Sequence, residues 1–388
     1  MHPTLAQTYA ERSEQPSGSS GNSNNTPLAT YLFRLMHIKR TNLCVSADVT
    51  TTNELLRVAE EVGDHICILK THADIVSDFG EKTIRGLNEI ARRKKFLVFE
   101  DRKFFDIGNT VQLQYSGGPL CIVRWAPIVN ASIHSGPAII PALAEAAQKA
   151  INSHNTSVST DIRASPRVPP EDDFDSADDS DDGHDVNGVH SADEYEEEDS
   201  YDRMRKQSVV SVSTTISMKS EAISPQPHIR PSISRVSSTE SSDEGDDPEA
   251  LNQLGPPPFF RSLLLLAQMS SANNYFTPEY TADCLKHARE NKDFVMGFIA
   301  QQSLNQAPED NFITMTPGVQ LQAGGDGKGQ QYNTPDKVIG QGGADVIIVG
   351  RGIIAAPPGE RMKLAVEYRR QGWEAYKQRV KSLRAQRR

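Results

Sequence analysis

Five charged residues of alternating sign carry the densest potential for chemistry in this chain: Asp48, Lys70, Asp101, Lys103 and Asp106. The first three each end a short apolar run, namely Leu43–Asp48, Ile66–Lys70 and Phe96–Asp101. If those runs are adjacent strands, all five side chains gather at one rim. Lysines held among carboxylates stay charged, because an opposite charge favours the ionised form. Fixed charges of both signs beside a protonated lysine suit general-acid chemistry at a centre that develops negative charge. Asp101 and Lys103 lie two apart, so in an extended chain they point the same way. Taken singly, each charge reads equally well as a solvated loop residue. Their recurrence on consecutive run ends argues for a site.

A second cluster lies near the other end of the chain. It comprises the glycine-rich stretch Gly324–Tyr332 and the triplet Gly350-Arg351-Gly352. Glycines let backbone N–H groups approach a phosphate, and arginine can grip one with two parallel hydrogen bonds. Gln330 and Tyr332 could add hydrogen bonds. Lys328 is followed by glycine rather than Ser or Thr, so this is not a nucleotide-triphosphate P-loop. A plain flexible loop is the alternative for the glycine run.

These side chains need a scaffold that brings distant run ends together. Eight apolar runs recur along the chain: the three above, then Trp125–Ala131, Leu263–Met269, Phe294–Ala300, Phe312–Pro317 and Val346–Gly350. Most are apolar throughout, as strands buried on both faces are. Helix-period segments separate most of them, including Asn53–Val62, Glu81–Arg93, Pro137–Ala150 and Pro278–Glu290. Only the link from Ala300 to Phe312 is too short and polar for a full helix. Eight such units predict an α/β fold, a (β/α)8 TIM barrel, with functional residues at the C-terminal strand ends. The competing open doubly wound sheet usually carries a glycine-rich turn after its first strand. Here that turn reads Asp48-Val49-Thr50-Thr51.

Composition divides the chain further. Residues 1–27 are rich in Ser, Asn, Gly and Pro and predict a loose tail. Residues 152–256 break the rhythm with an acidic, Ser-rich stretch that cannot bury enough apolar surface to offset its ordering entropy. They predict a disordered insertion between the fourth helix and the fifth strand, leaving 28–151 and 257–388 as one barrel domain. The net charge is −10, of which residues 152–250 contribute about −16, so the remainder is mildly basic. That suits a small anionic substrate and no nucleic-acid track.

The four cysteines, Cys44, Cys67, Cys121 and Cys284, form no CxxC pair and have no histidine cluster nearby, so neither a metal nor a disulfide scaffold is expected. The longest apolar run, Leu263–Ala267, is too short to span a bilayer. No signal-peptide pattern opens the chain, and a cytoplasmic protein is expected.

The string Phe99-Glu100-Asp101-Arg102-Lys103-Phe104-Phe105-Asp106-Ile107-Gly108-Asn109-Thr110 resembles the signature of the orotidine 5′-phosphate decarboxylase family in its fungal form. Asp-x-Lys-x-x-Asp is intact. Further matching stretches are Ser46–Val49, Leu69–Ile75, Gly297–Gln301, Thr316–Val319, Gly329–Tyr332 and Val349–Gly352. The resemblance runs from about Thr30 to the C-terminus except for the insertion. Departures occur at Phe105, often smaller in relatives, at Asn130–Ser135 and at Ser271–Asn274.

The resemblance implies a cofactor-free lyase that converts orotidine 5′-phosphate to uridine 5′-phosphate, the last step of de novo pyrimidine nucleotide synthesis. It implies Lys103 as proton donor to C6 of the pyrimidine, Asp101 against the substrate carboxylate, and Lys70 completing the charged network. Asp48 would hold ribose hydroxyls. Ser270 would bind the pyrimidine and Gln330 would lie over it. Tyr332, Gly350 and Arg351 would bind the phosphate, with Thr71, His72, Arg102, Ile107 and Pro317 also lining the substrate. Asp106 and Thr110 would reach into a partner subunit's site, making a homodimer. Two other functions remain open on the same barrel: a magnesium-dependent keto-sugar-phosphate decarboxylase and a non-catalytic nucleotide sensor.

Overall fold

The computed structural model describes residues 2–15, 25–165, 209–218, 248–325 and 331–387. Its eight barrel strands are β1 Leu43–Ser46, β2 Ile68–Thr71, β3 Leu97–Phe104, β4 Ile128–Ala131, β5 Ser262–Leu266, β6 Val295–Ile299, β7 Ile313–Thr316 and β8 Val346–Val349. Each pairs in parallel with its sequence neighbours, and β1 pairs with β8 to close the barrel. Five lie wholly within the apolar runs of the sequence, while β2 and β5 overrun theirs by one residue and β3 by three. Except at Asp101–Lys103 near the end of β3, their side chains are buried on both faces, as a sheet lined inside and covered outside by helices requires.

The principal covering helices are α1 Tyr9–Ser13, α2 Pro27–Lys39, α3 Thr52–Val62, α4 Glu81–Lys94, α5 Gly108–Ser116, α6 Ile139–Asn155, α7 Pro248–Gln253, α8 Pro278–Glu290, α9 Arg351–Ile354 and α10 Arg361–Ala385. Local sequence explains their starts. The Thr51 side chain accepts the Glu54 N–H at the head of α3, and Thr277 accepts the Tyr280 N–H ahead of Pro278 in α8. In α3, Leu55, Val58, Ala59 and Val62 share the buried face.

The link from Ala300 to Phe312 carries no helix. The N-terminal residues pack there instead. This corrects the loose tail expected over 1–27 for the residues that are described. The Arg12 guanidinium bonds Asp345, Asn311 Oδ1 (2.7 Å) and the Phe312 carbonyl (3.1 Å), all buried. Tyr9 stacks on Tyr376 at 4.1 Å and donates to the Asp345 carbonyl at 2.9 Å. The segment's polar composition concealed this, because most of its buried side chains, Thr4, Arg12, Ser13, Asn25 and Thr26, are polar.

Residues 156–219 form a second unit. Its described part is an antiparallel ladder of 156–165 with 209–218. The rest of the acidic stretch, and with it most of the disorder expected over 152–256, lies outside the described residues. At its edges α6 continues to Asn155 and α7 begins at Pro248, so the barrel's own helices extend into the expected insertion. Among the described residues no helix is long and apolar enough to cross a membrane.

Candidate active site

β1, β2 and β3 are adjacent, so their C-terminal ends place Asp48, Lys70 and Asp101 side by side. Lys70 Nζ donates to Asp101 Oδ2 at 2.8 Å, and Lys103 Nζ donates to Asp101 Oδ1 at 2.7 Å. Asp48 Oδ1 lies 3.7 Å from Lys70 Nζ and accepts from Ser46 Oγ at 2.7 Å. Asp101 is thus clamped between two ammonium groups. Lys70 is buried, whereas the Lys103 side chain is 41% exposed.

Burial alone would raise the Asp101 carboxyl, but Lys70 and Lys103 outweigh it and hold its pKa far below the usual carboxylate range. Burial likewise disfavours the Lys70 ammonium, yet Asp101 and Asp48 hold its pKa above the ordinary lysine value. Both groups are therefore charged at neutral pH. His72 is lowered by burial and by the Lys70 ammonium. Its Nε2 lies 2.8 Å from Lys70 Nζ and accepts from it. The imidazole is neutral, so its 3.4 Å approach to Asp101 is a contact rather than an ion pair.

Alternation along an extended strand is not what aims Lys103. The β3–β4 register shifts between Glu100 and Phe104, and Lys103 has φ +49°, the left-handed region that ordinary residues seldom occupy. Asn130 at the end of β4 holds this bulge. Its Oδ1 accepts the Lys103 N–H at 2.8 Å, and its Nδ2 donates to Asp101 Oδ1 at 2.7 Å. Sequence reasoning missed Asn130, whose only signal was its position at a fourth strand end. It also missed Glu100, which is buried and accepts from Thr71 Oγ1 at 2.7 Å and from the Ala73 N–H at 3.0 Å.

Beyond Lys103 the chain opens outward. Arg102 packs its guanidinium over the Phe104 ring at 5.6 Å. Asp106, Ile107 and Thr110 are exposed, and Gln114 Nε2 donates to Asp106 Oδ2 at 2.6 Å. None of these three joins the charged cluster within this chain.

The glycine-rich stretch after β7 turns back on itself, with Gly324–Gly325 pairing antiparallel to Gln331–Tyr332. The tip, including Gln330, lies outside the described residues. Arg351 follows β8, with its guanidinium carbon 5.7 Å from the centre of the Tyr332 ring. Closure of β8 onto β1 brings this end to the charged cluster. A Cβ added at Gly350 would sit 3.5 Å from Asp48 Oδ2. Pro317 follows β7 and Ser270 follows β5, both half-buried on the loops beyond the strand ends. The loop after β4, where the sequence departs from the family pattern, packs against Phe276 of the loop after β5 and Tyr280 of α8. His134 stacks on Tyr280 at 3.8 Å, and Tyr280 Oη accepts the Ile133 N–H at 2.9 Å.

All four cysteines are free, and burial pushes the Cys44 thiol well above its usual value. Among the described residues no group of three or more His, Cys, Asp or Glu side chains is placed to hold a metal ion.

Comparison with known proteins agrees with this architecture. The model of the orotidine 5′-phosphate decarboxylase / HUMPS family matches residues 41–363. Similar proteins include the orotidine 5′-phosphate decarboxylase of Aureobasidium pullulans, 44% identical over 97% of this chain and 95% of its own length. Those of Hypocrea atroviridis and Hypocrea jecorina are each 42% identical over 98% of this chain and 99% of theirs. The matched span includes every strand of the barrel and every residue of the Asp48–Lys70–Asp101–Lys103 network, and on that basis the chain belongs to the orotidine 5′-phosphate decarboxylase / HUMPS family.

Proposed function

We propose that this protein decarboxylates orotidine 5′-phosphate to uridine 5′-phosphate and CO2 in the cytoplasm, without a cofactor. The observation that carries the reading is Asp101 held ionised between Lys70 and Lys103 at the barrel rim. The Arg351–Tyr332 pair follows on the β8 flank, next to β1. Near-full-length relatives bear the name of this enzyme.

Arg351, Tyr332 and Gly350 take the phosphate, and Asp48 takes ribose hydroxyls. Gln330, Ser270 and Pro317 border the pyrimidine, with Thr71, His72, Arg102 and Ile107 around it. Binding energy from these remote contacts holds the orotate carboxylate against Asp101, which cannot become neutral between two ammoniums. Departure of CO2 removes that repulsion. The bond from C6 to the carboxyl carbon breaks and leaves its electron pair on C6. The Lys103 ammonium faces that pair, stabilises it and transfers one proton to it. Solvent then reprotonates the amine.

Asp106 and Thr110 complete the site of a second subunit in a homodimer. Phe105, Ile107 and Leu113 beside them are 56%, 50% and 59% exposed, an apolar group that dimerisation would cover. Light scattering on the purified protein should return twice the chain mass.

A magnesium-dependent reaction on a sugar phosphate fits less well. Lys70 Nζ already lies between the Asp48 and Asp101 carboxylates and offsets the charge a divalent cation would need. A sensor would have no use for the Lys103 proton donor. The test is turnover of orotidine 5′-phosphate by the purified wild-type protein with and without a chelator. Equal, rapid release of CO2 in both is expected. No turnover, or turnover only with magnesium, would overturn the reading.

A further inference from the structure

Glu100 takes no part in the reaction described above, yet it is a fully buried carboxyl (0% exposed) one residue from Asp101. Among the described residues no cation pairs with it. Its partners are hydrogen-bond donors, Thr71 Oγ1 at 2.7 Å and the Ala73 N–H at 3.0 and 3.1 Å to its two oxygens. The charges that act on it, Asp74 and Asp101, are of like sign. A buried acid without a counter-ion is costly, and an apolar side chain would pack more favourably here. What Glu100 does instead is fasten two points of the chain that leaves β2.

Those two points bracket His72. Thr71 pairs with Glu100 across the β2–β3 ladder, and Ala73 begins the turn that follows. Pinning both fixes the backbone on each side of the imidazole. His72 Nε2 consequently stands 2.8 Å from Lys70 Nζ, 3.4 Å from Asp101 Oδ2 and 3.8 Å from Asp48 Oδ1. An imidazole that leaned away by 1 Å would release Lys70 from one of its acceptors and let it shift between Asp48 and Asp101.

We infer that Glu100 is a positioning residue for the decarboxylation, acting through the Thr71–Ala73 turn to hold His72 against Lys70 and Asp101. The bridge is one of hydrogen bonds and does not depend on charge. A protonated carboxyl accepts from Ala73 through its carbonyl oxygen and donates to Thr71 Oγ1. A glutamine of the same shape does the same. Aspartate keeps the charge but is one methylene too short to reach both points.

The inference rests on the functional reading above, and a double-mutant cycle separates the two. Turnover by wild type tests the reading. Glu100→Ala, Glu100→Asp and Glu100→Gln, each alone and with His72→Ala, test the inference. Glu100→Ala and Glu100→Asp should lower kcat/KM by about tenfold or more, as small misplacements in an active site do. Glu100→Gln should stay within about threefold of wild type, and none of the three should reduce the activity of His72→Ala by more than about twofold. If Glu100→Ala does not fold, the Asp and Gln variants carry the same comparison. The inference is overturned if Glu100→Gln is as impaired as Glu100→Asp. It is also overturned if the Glu100 variants lose the same factor whether or not His72 is present.

Discussion

Asn130 accepts the backbone N–H of Lys103 at 2.8 Å while that lysine occupies a left-handed conformation, φ +49°. The same amide donates to Asp101. A single side chain from β4 thereby holds the strained backbone under Lys103 and orients the carboxylate that its ammonium meets. Strain of this kind persists only where surrounding contacts over-determine it. Asn130→Ala removes both bonds. Its kcat should fall roughly ten- to a hundredfold through misplacement of Lys103, with a stability loss of about 1–3 kcal/mol from the donor left unpaired. Steady-state kinetics and denaturant melts check the two parts. Wild-type kcat in Asn130→Ala would show that the bulge holds itself.

Lys103 is the only lysine of the network with substantial exposure, and its Nζ meets Asp101 at 2.7 Å. Lys103→Ala should reduce kcat by about a thousandfold or more, the scale of a lost general acid together with its charge. Affinity for uridine 5′-phosphate should change far less. Calorimetric titration of the product against the variant separates the effects. Decarboxylation at the wild-type rate would remove Lys103 from the mechanism.

Arg351 follows β8, the strand that borders β1 on the flank away from β2, and lies beside Tyr332. In its proposed role as a phosphate ligand, its replacement with alanine should cost charge-assisted hydrogen bonds worth about 1.5–3 kcal/mol, or roughly ten- to a hundredfold in kcat/KM. Competition by inorganic phosphate should weaken in parallel. An Arg351→Ala enzyme with unaltered sensitivity to phosphate would relocate the phosphate site.

Burial pushes the Glu100 carboxyl up to about 7 from an ordinary 4.5, against the lowering effect of Thr71 and Ala73. A carboxyl raised in this way stabilises the native state below its unfolded pKa and loses that contribution as pH rises through the folded one. Wild-type stability should therefore decline from about pH 4.5 to 7 relative to Glu100→Gln, by up to roughly 3 kcal/mol. Denaturant midpoints for both proteins across that range provide the measurement, and parallel curves would contradict it.

At the other end of the barrel, Arg12 joins the N-terminal segment to Asp345 and Asn311, ahead of β8 and β7. Arg12→Ala leaves Asp345 buried with its guanidinium partner gone, which costs about 3–5 kcal/mol. Thermal unfolding should shift down accordingly. Activity per folded molecule should not change, since the residue lies at the strand ends remote from the charged rim.

The eight strands were legible in the sequence because strands buried on both faces must be apolar throughout, as Leu43–Ser46 and Val346–Val349 are. The recurrence of Asp48, Lys70 and Asp101 at run ends likewise announced a charged rim before any coordinates. Tertiary structure decided what local pattern does not encode. Closure of β8 on β1 places Gly350 beside Asp48, about three hundred residues earlier in the chain. The bulge at Lys103 exists because an asparagine from the next strand supplies the bond that stabilises it. Tyr9 and Arg12 sit in a segment whose composition reads as disordered, and they are ordered by distant partners: Tyr9 by the Tyr376 ring and the Asp345 carbonyl, Arg12 by Asn311, Phe312 and Asp345. Periodicity reports which face of an element is buried. Which distant residue meets it is a property of the closed barrel.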